Sequence, residues 1–219
     1  RHSCTLGELA LYFNAAGDIK CHLEVIKCEG WNRTCFQPDW EIPFVPTSPA
    51  IQNFESMLLY PGLCLLEATN TSEGRGTPDA FCAAGAPWIN GETLAAILAD
   101  IASDDLYIIP CSFTPTESKY KGQLCHGIRM EVKQAAFFQP VSFGLMLIRL
   151  IKQLYPAFFQ WRPYPTLVNQ NGRQHLDKLL GIPNSELLLE LPLPKFIAEI
   201  TKLTKCSEWE ERIKRFLLY

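Results

Sequence analysis

The sequence predicts an α+β fold: a small mixed sheet flanked by helices, with a helical carboxy-terminal tail. Three observations lead there. Helical and strand-like segments occur without strict alternation, which argues against a doubly wound sheet. Two strand-like runs, Leu106–Phe113 and Leu124–Val132, lie close together, as antiparallel partners do. From Arg173 onward every apolar pattern has helical spacing. The chain has 219 residues, 47% of them hydrophobic and 20% charged, enough to bury a core without covalent staples.

Each element has a local reason. Thr5 and Glu8 have capping-box spacing and open a helix, LGELALYFNAA, that ends near Gly17. Cys21–Trp31 reads as a strand, Leu23 and Val25 alternating with Glu24. Four prolines make Trp31–Pro49 irregular. Ser48-Pro49 has the form of a helix start, and that helix should stop at Pro61-Gly62. Gly62–Glu67 (GLCLLE) reads as a short buried strand, and PDAFCAAGAPW as a turn-rich stretch. Asn90 should cap a helix over GETLAAILADIA. Ser142–Tyr155 is a strong helix, followed by tail helices over Arg173–Leu180, Ser185–Leu191, Phe196–Lys202 and Ser207–Leu217.

Composition excludes several function classes. A net charge of −3 with scattered basic residues gives no electrostatic footprint for nucleic acid. No apolar run reaches the roughly 18 residues of a membrane-spanning helix, so no membrane insertion is expected. The nine cysteines form no Cys-x-x-Cys pair and read mainly as small buried thiols, although Cys21, Cys28 and Cys35 are evenly spaced. Of His2, His22, His126 and His175, none has a second histidine at ligand spacing, so no metal and no cofactor is expected. The start at Arg1-His2, without Met, reads as a fragment of a longer chain.

The chemistry concentrates in EATNTSEGRGT, residues 67–77. Gly74 and Gly76 let main-chain amides approach a ligand, and Arg75 between them can grip a carboxylate as a fork. Asn70, Thr71 and Ser72 offer neutral donors and acceptors for hydroxyl or amide groups. Glu67 and Glu73 form a possible acid/base pair, placed at the exit of the expected strand. The competing reading is a structural turn in which Arg75 pairs with either glutamate. Trp88 is a sugar-stacking platform if exposed and core if buried. Ser118 and Lys119 leave a strand together and suit a carboxylate or carbonyl. Trp161-Arg162 is either a packed pair or a ligand contact.

The order of motifs resembles the NamZ/YbbC-type exo-β-N-acetylmuramidase family. The resemblance rests on Pro46-Thr47-Ser48-Pro49, on Tyr60-Pro61-Gly62 and on the 67–77 loop. Gly85-Ala86-Pro87-Trp88 and the run FTPTESKYKGQLCHGI continue it, and TLGELALYFN and Glu29-Gly30-Trp31 extend it toward the amino terminus. It implies a two-domain glycosidase that releases N-acetylmuramic acid from the non-reducing ends of peptidoglycan fragments. Residues 1–219 would be its carboxy-terminal α+β domain, with residues 1–30 near the junction and the Rossmann-like amino-terminal domain absent. That missing domain would be the partner supplying the main acid/base.

On this resemblance Arg75 or Lys119 would hold the lactyl carboxylate, and Asn70, Ser72, Gly76 and Ser118 would meet amide or hydroxyl groups. Trp88 would take the apolar sugar face, and Glu67 and Glu73 would orient hydroxyls or assist catalysis. A cell-wall substrate favours an extracytoplasmic location. A non-catalytic carbohydrate-binding module is the alternative, and a purely structural domain the third reading.

Overall fold

The computed structural model describes residues 3–102 and 104–219; His2 and its exclusion as a ligand fall outside them. In chain order the helices and strands are α1 (Leu6–Ala16), α2 (Phe54–Leu63), β1 (Ala83–Ala86), α3 (Gly91–Ala102), β2 (Leu106–Phe113), β3 (Cys125–Val132), α4 (Pro140–Leu154), α5 (His175–Leu180), α6 (Leu193–Leu203) and α7 (Ser207–Ile213), with short 3-10 turns between some of them. They form two compact units, Arg1–Pro43 with Lys205–Tyr219, and Phe44–Thr204.

In the first unit the capping box forms as its spacing predicts: Thr5 Oγ1 accepts from the Glu8 amide and Glu8 Oε2 accepts from the Thr5 amide at 2.7 Å. Gly17 closes α1. Cys21–Trp31 forms no strand, so the expected strand is corrected to an irregular segment. Its alternation survives, because Val25 lies against Gly7, where any Cβ would collide with a valine methyl. Glu8 is the tie of this unit. Buried at 1% exposure, it accepts from Arg33 Nη2 at 2.5 Å and from the Leu218 amide at 2.8 Å, joining α1, the following loop and the chain end. Tyr12 packs edge-on against Trp209 and Phe216.

The second unit holds an antiparallel sheet of order β1-β3-β2, so the sheet is not mixed as expected. The α+β class stands. β1 is the strand that the sequence concealed: Ala83–Ala86 is made of poor strand formers, yet all of it is buried. Small residues are required there, since a Cβ on Gly127 would strike the Ala84 carbonyl.

α2 begins at Asn53, whose side chain caps the Ser56 amide, and not at Ser48-Pro49; Ser48 instead turns the chain back onto Ile51. Nor does α2 stop at Pro61. It continues through Gly62 because α4 crosses it at backbone contact: a Cβ on Gly62 would collide with the Pro140 carbonyl, and one on Gly144 with the Gly62 carbonyl. The expected strand at Gly62–Glu67 is therefore the end of α2 followed by a 3-10 turn over Cys64–Ala68. An apolar run buried on all sides lacks the periodicity that separates strand from helix. Leu59, Leu63, Leu66, Phe81, Leu94, Leu98, Ile128, Leu145, Ile148 and Phe196 fill the core.

Two measurements check this account. Gly62→Ala should force α2 and α4 apart and lower stability by about 2 kcal/mol, read as a shifted denaturant midpoint with an unchanged slope. Burial acts to raise the Glu8 carboxyl, but Arg33 and the Leu218 and Thr5 amides outweigh it and hold it at about 2. An unfolded glutamate titrates near about 4.3. The folded value is the lower one, so the contribution of Glu8 is complete above about pH 5 and lost as pH falls toward 2. Hydrogen exchange at the Leu218 amide should report that loss of protection, and Glu8→Gln should remove its pH dependence.

Candidate functional site

The crossing of α2 on α4 delivers the chain into the 3-10 turn that carries Glu67. This carboxylate is 7% exposed and lies in that turn, not at a strand exit. The loop beyond it is tied to its surroundings at nearly every residue. Thr69 Oγ1 donates to the Leu66 carbonyl and accepts from the Thr71 amide. The Asn70 side chain donates to the Phe158 carbonyl at 2.8 Å and accepts from the Gln160 amide at 2.9 Å, while its own amide donates to the Gln160 carbonyl. Ser72 exchanges main-chain hydrogen bonds with Gly85, and its hydroxyl accepts from the Gly74 amide. Gly76 has φ +79°, and a Cβ there would stand 2.6 Å from the Glu117 amide. Its carbonyl accepts from both the amide and the hydroxyl of Thr116.

The charges close on one another in the same way. Arg75 bridges both glutamates, with Nη2 2.6 Å from Glu67 Oε1 and Nε 3.1 Å from Glu73 Oε1. Lys119 Nζ lies 2.9 Å from Glu73 Oε2 and donates to the Leu66 and Thr71 carbonyls, each at 2.7 Å. Two anions thus meet two cations around a buried turn. Burial pushes the Lys119 ammonium down from the usual lysine range, against the pull of Glu73. Burial also opposes the Arg75 cation, but Glu67 and Glu73 outweigh it and raise its pKa. The second oxygen of Glu67 faces His175 Nε2 at 3.6 Å, and the His175 ring stacks on Tyr164 at 4.5 Å. Sequence reasoning considered His175 only as a metal ligand; nothing local linked a residue so far along the chain to Glu67.

Two concavities border this frame and a third lies apart from it. The first, about 500 Å³, is lined by Ser48, Tyr60, Arg75, Phe81 and Glu117 among others. Arg75 lies over the Phe81 ring at 4.8 Å, and Phe81 meets Tyr60 edge-on, also at 4.8 Å. The second, about 380 Å³, runs between Ser118–Tyr120 and Gln160–Pro163, with Asn70 at its wall. Ser118 is exposed and has φ +61°. The third, about 550 Å³, includes Trp88, Ser112 and His126; Ser112 Oγ and His126 Nδ1 are 2.8 Å apart. Trp88 is half-buried. Its Nε1 donates to the Tyr120 hydroxyl at 3.0 Å, and its ring lies parallel to Phe158 and edge-on to Tyr155. The structure therefore brings Glu67, Glu73, Arg75 and Lys119 together, with Asn70, Ser72 and Gly76 as the main-chain ties around them. Ser118 and Trp88 stand outside the charge cluster. Among the described residues, no three His, Cys, Asp or Glu side chains converge as a metal site would require. Among the described residues, no disulfide joins the cysteines.

Two family profiles match the chain. The carboxy-terminal part of the exo-beta-N-acetylmuramidase NamZ matches residues 58–219, and its amino-terminal part matches residues 1–55. The peptidoglycan beta-N-acetylmuramidase NamZ of Bacillus subtilis (strain 168) is 40% identical over 161 residues, which is 74% of this chain and 39% of that relative. The chain thus spans about two-fifths of the length of this curated relative. Two crystal structures of DUF1343 family proteins from Bacteroides fragilis NCTC 9343 share the fold. One aligns with TM-score 0.71 at 20% identity, covering 97% of this chain and 55% of the other. The second aligns with TM-score 0.62 at 22% identity, covering 98% and 55%.

Lys119→Met tests the closed charge cluster. It leaves Glu73 with Arg75 alone and strips the Leu66 and Thr71 carbonyls of their donor, at a cost of about 3–5 kcal/mol. Thermal unfolding should register a large fall. A change below about 1 kcal/mol would mean that the ammonium does not hold the turn.

Proposed function

Because the chain belongs to the exo-beta-N-acetylmuramidase NamZ family, we propose that it forms one wall of the substrate cleft in a glycoside hydrolase that releases N-acetylmuramic acid from non-reducing ends of peptidoglycan fragments. The observation that carries this reading is the convergence of motifs far apart in sequence on one concavity. Ser48 and Pro49, Tyr60, Arg75 and Glu117 all border the same 500 Å³ space. Such a volume falls within the range of small-ligand sites, about 300–1,000 Å³.

Cleavage of a glycosidic bond needs a proton for the departing oxygen and a carboxylate or activated water at the anomeric carbon. Glu67 and Glu73 are each engaged with a cation, Glu73 with two. In this reading their part is to hold Arg75 rigidly at the cavity edge, where its open side meets substrate oxygen atoms. The proton donor then comes from the amino-terminal part of the enzyme. The junction between the two parts lies between residues 43 and 58. Support comes from the unit boundary at Pro43–Phe44 and from the change of matching profile between residues 55 and 58. The engagement of both glutamates also favours a second reading, a carbohydrate-binding module that keeps the wall without the chemistry.

The readings separate in two assays on one preparation of the protein that includes its amino-terminal part. Release of nitrophenol from 4-nitrophenyl β-N-acetylmuramide supports the hydrolase. Saturable quenching of tryptophan emission by N-acetylmuramic acid, without turnover, supports the binding module. Neither response would overturn both and leave a structural domain.

A further inference from the structure

The cations expected to meet a substrate carboxylate are Arg75 and Lys119, and each already answers a buried glutamate. Lys119 has, in addition, filled all three of its donor positions. A ligand carboxylate at Lys119 would have to displace Glu73 or a buried carbonyl. The 380 Å³ concavity offers a different cation. Arg162 lines it, is exposed, and makes no side-chain hydrogen bond or ion pair among the described residues.

Its position is nevertheless fixed. The Arg162 amide donates to the Ala68 carbonyl at 2.8 Å, and Trp161 bridges to Thr69. Asn70 holds residues 158–160 just ahead of it through three hydrogen bonds. Around the same space, the Ser118 hydroxyl and the Gln160 side-chain carboxamide have no protein partner among the described residues, and both residues are exposed. The Tyr120 hydroxyl accepts from Trp88, which leaves its own proton to donate. An uncommitted guanidinium, two hydroxyls and an amide thus border a cavity whose walls include Tyr120 and Trp161.

We propose that this concavity is the acidic-sugar subsite and that Arg162 is its specificity-determining residue, gripping the carboxylate of a carboxyalkyl-bearing N-acetylhexosamine. The proposal rests on the saccharide reading above. The guanidinium matches a carboxylate with two parallel donors. Ser118, Gln160 and the Tyr120 hydroxyl serve the ring hydroxyls and the acetamido group, while the Trp161 and Tyr120 rings cover the apolar sugar face.

The test is binding of N-acetylmuramic acid and of N-acetylglucosamine, followed by amide chemical shifts of the wild-type chain, Arg162→Gln and Arg162→Lys. Because Arg162 is exposed, the variants should keep the wild-type Tm. The wild type should favour the muramic sugar, with shifts concentrated at Ser118, Tyr120 and Trp161. Arg162→Gln should weaken it about tenfold or more, leave the glucosamine sugar unchanged and erase the preference, and Arg162→Lys should restore part of it. A preference that survives in Arg162→Gln, or an equal loss for both sugars, overturns the role of Arg162 while the saccharide reading stands. A wild-type chain that binds neither sugar overturns both.

Discussion

The Lys119 ammonium is the point on which the second unit's polar architecture turns. Its three acceptors belong to three places: the 3-10 turn through Leu66, the loop through Thr71 and the buried carboxylate of Glu73. A charged group this deep is tolerated only when its partners surround it. The requirement is mutual, because Glu73 is equally buried and needs Lys119 and Arg75. Remove Lys119 and Glu73 keeps Arg75 alone, while the Leu66 and Thr71 carbonyls lose their donor. Loop 67–77 is therefore ordered by electrostatics as much as by its hydrogen bonds, and Arg75 gains a defined orientation at the cavity edge as a consequence.

That cluster is only as well placed as the backbone beneath it. α2 and α4 touch at Gly62 and Gly144 without intervening side chains, immediately ahead of the 3-10 turn that carries Glu67. On the other side, Gly85 sits in β1 against β3 and is at the same time the main-chain partner of Ser72. The loop is thus pinned at one end by a helix crossing and in its middle by a strand. Both contacts depend on residues with no side chain to interfere.

The parts of the fold that were legible in the sequence are those with local causes. The Thr5–Glu8 box and the Asn90 cap depend on spacings of three residues, and both form. β2 and β3 are strand-like runs close together in the chain, and they pair. β1 was hidden because alanine and glycine carry no strand signal, and its pairing with Cys125–Val132 is set by distant residues. GLCLLE was misread because a run buried on all faces looks alike as strand or helix, and α4 made the choice. Cys21–Trp31 has strand-like alternation without a neighbour to complete a ladder. At the candidate site the residue types were legible and their direction was not. The carboxylates of the loop face inward because Lys119 lies 46 residues along the chain and His175 farther still.

The adjacency of Ser118 and Lys119 carries the remaining lesson about how such a site divides its work. The two side chains part company in the turn, the buried Lys119 pointing into the protein and the exposed Ser118 away from it. Ser118 and Tyr120 both adopt positive φ on either side of Lys119, so the chain folds sharply around the ammonium it delivers. Trp161 and Arg162 repeat the pattern, with the main chain bonded to Thr69 and Ala68 and the guanidinium left outside. Groups that stabilise and groups that stand open to solvent thus alternate along the same short segments. The inward set fixes the geometry of the outward set without using up its donors, and this allows a rigid wall to keep open hydrogen-bonding capacity beside a charge cluster that has none left.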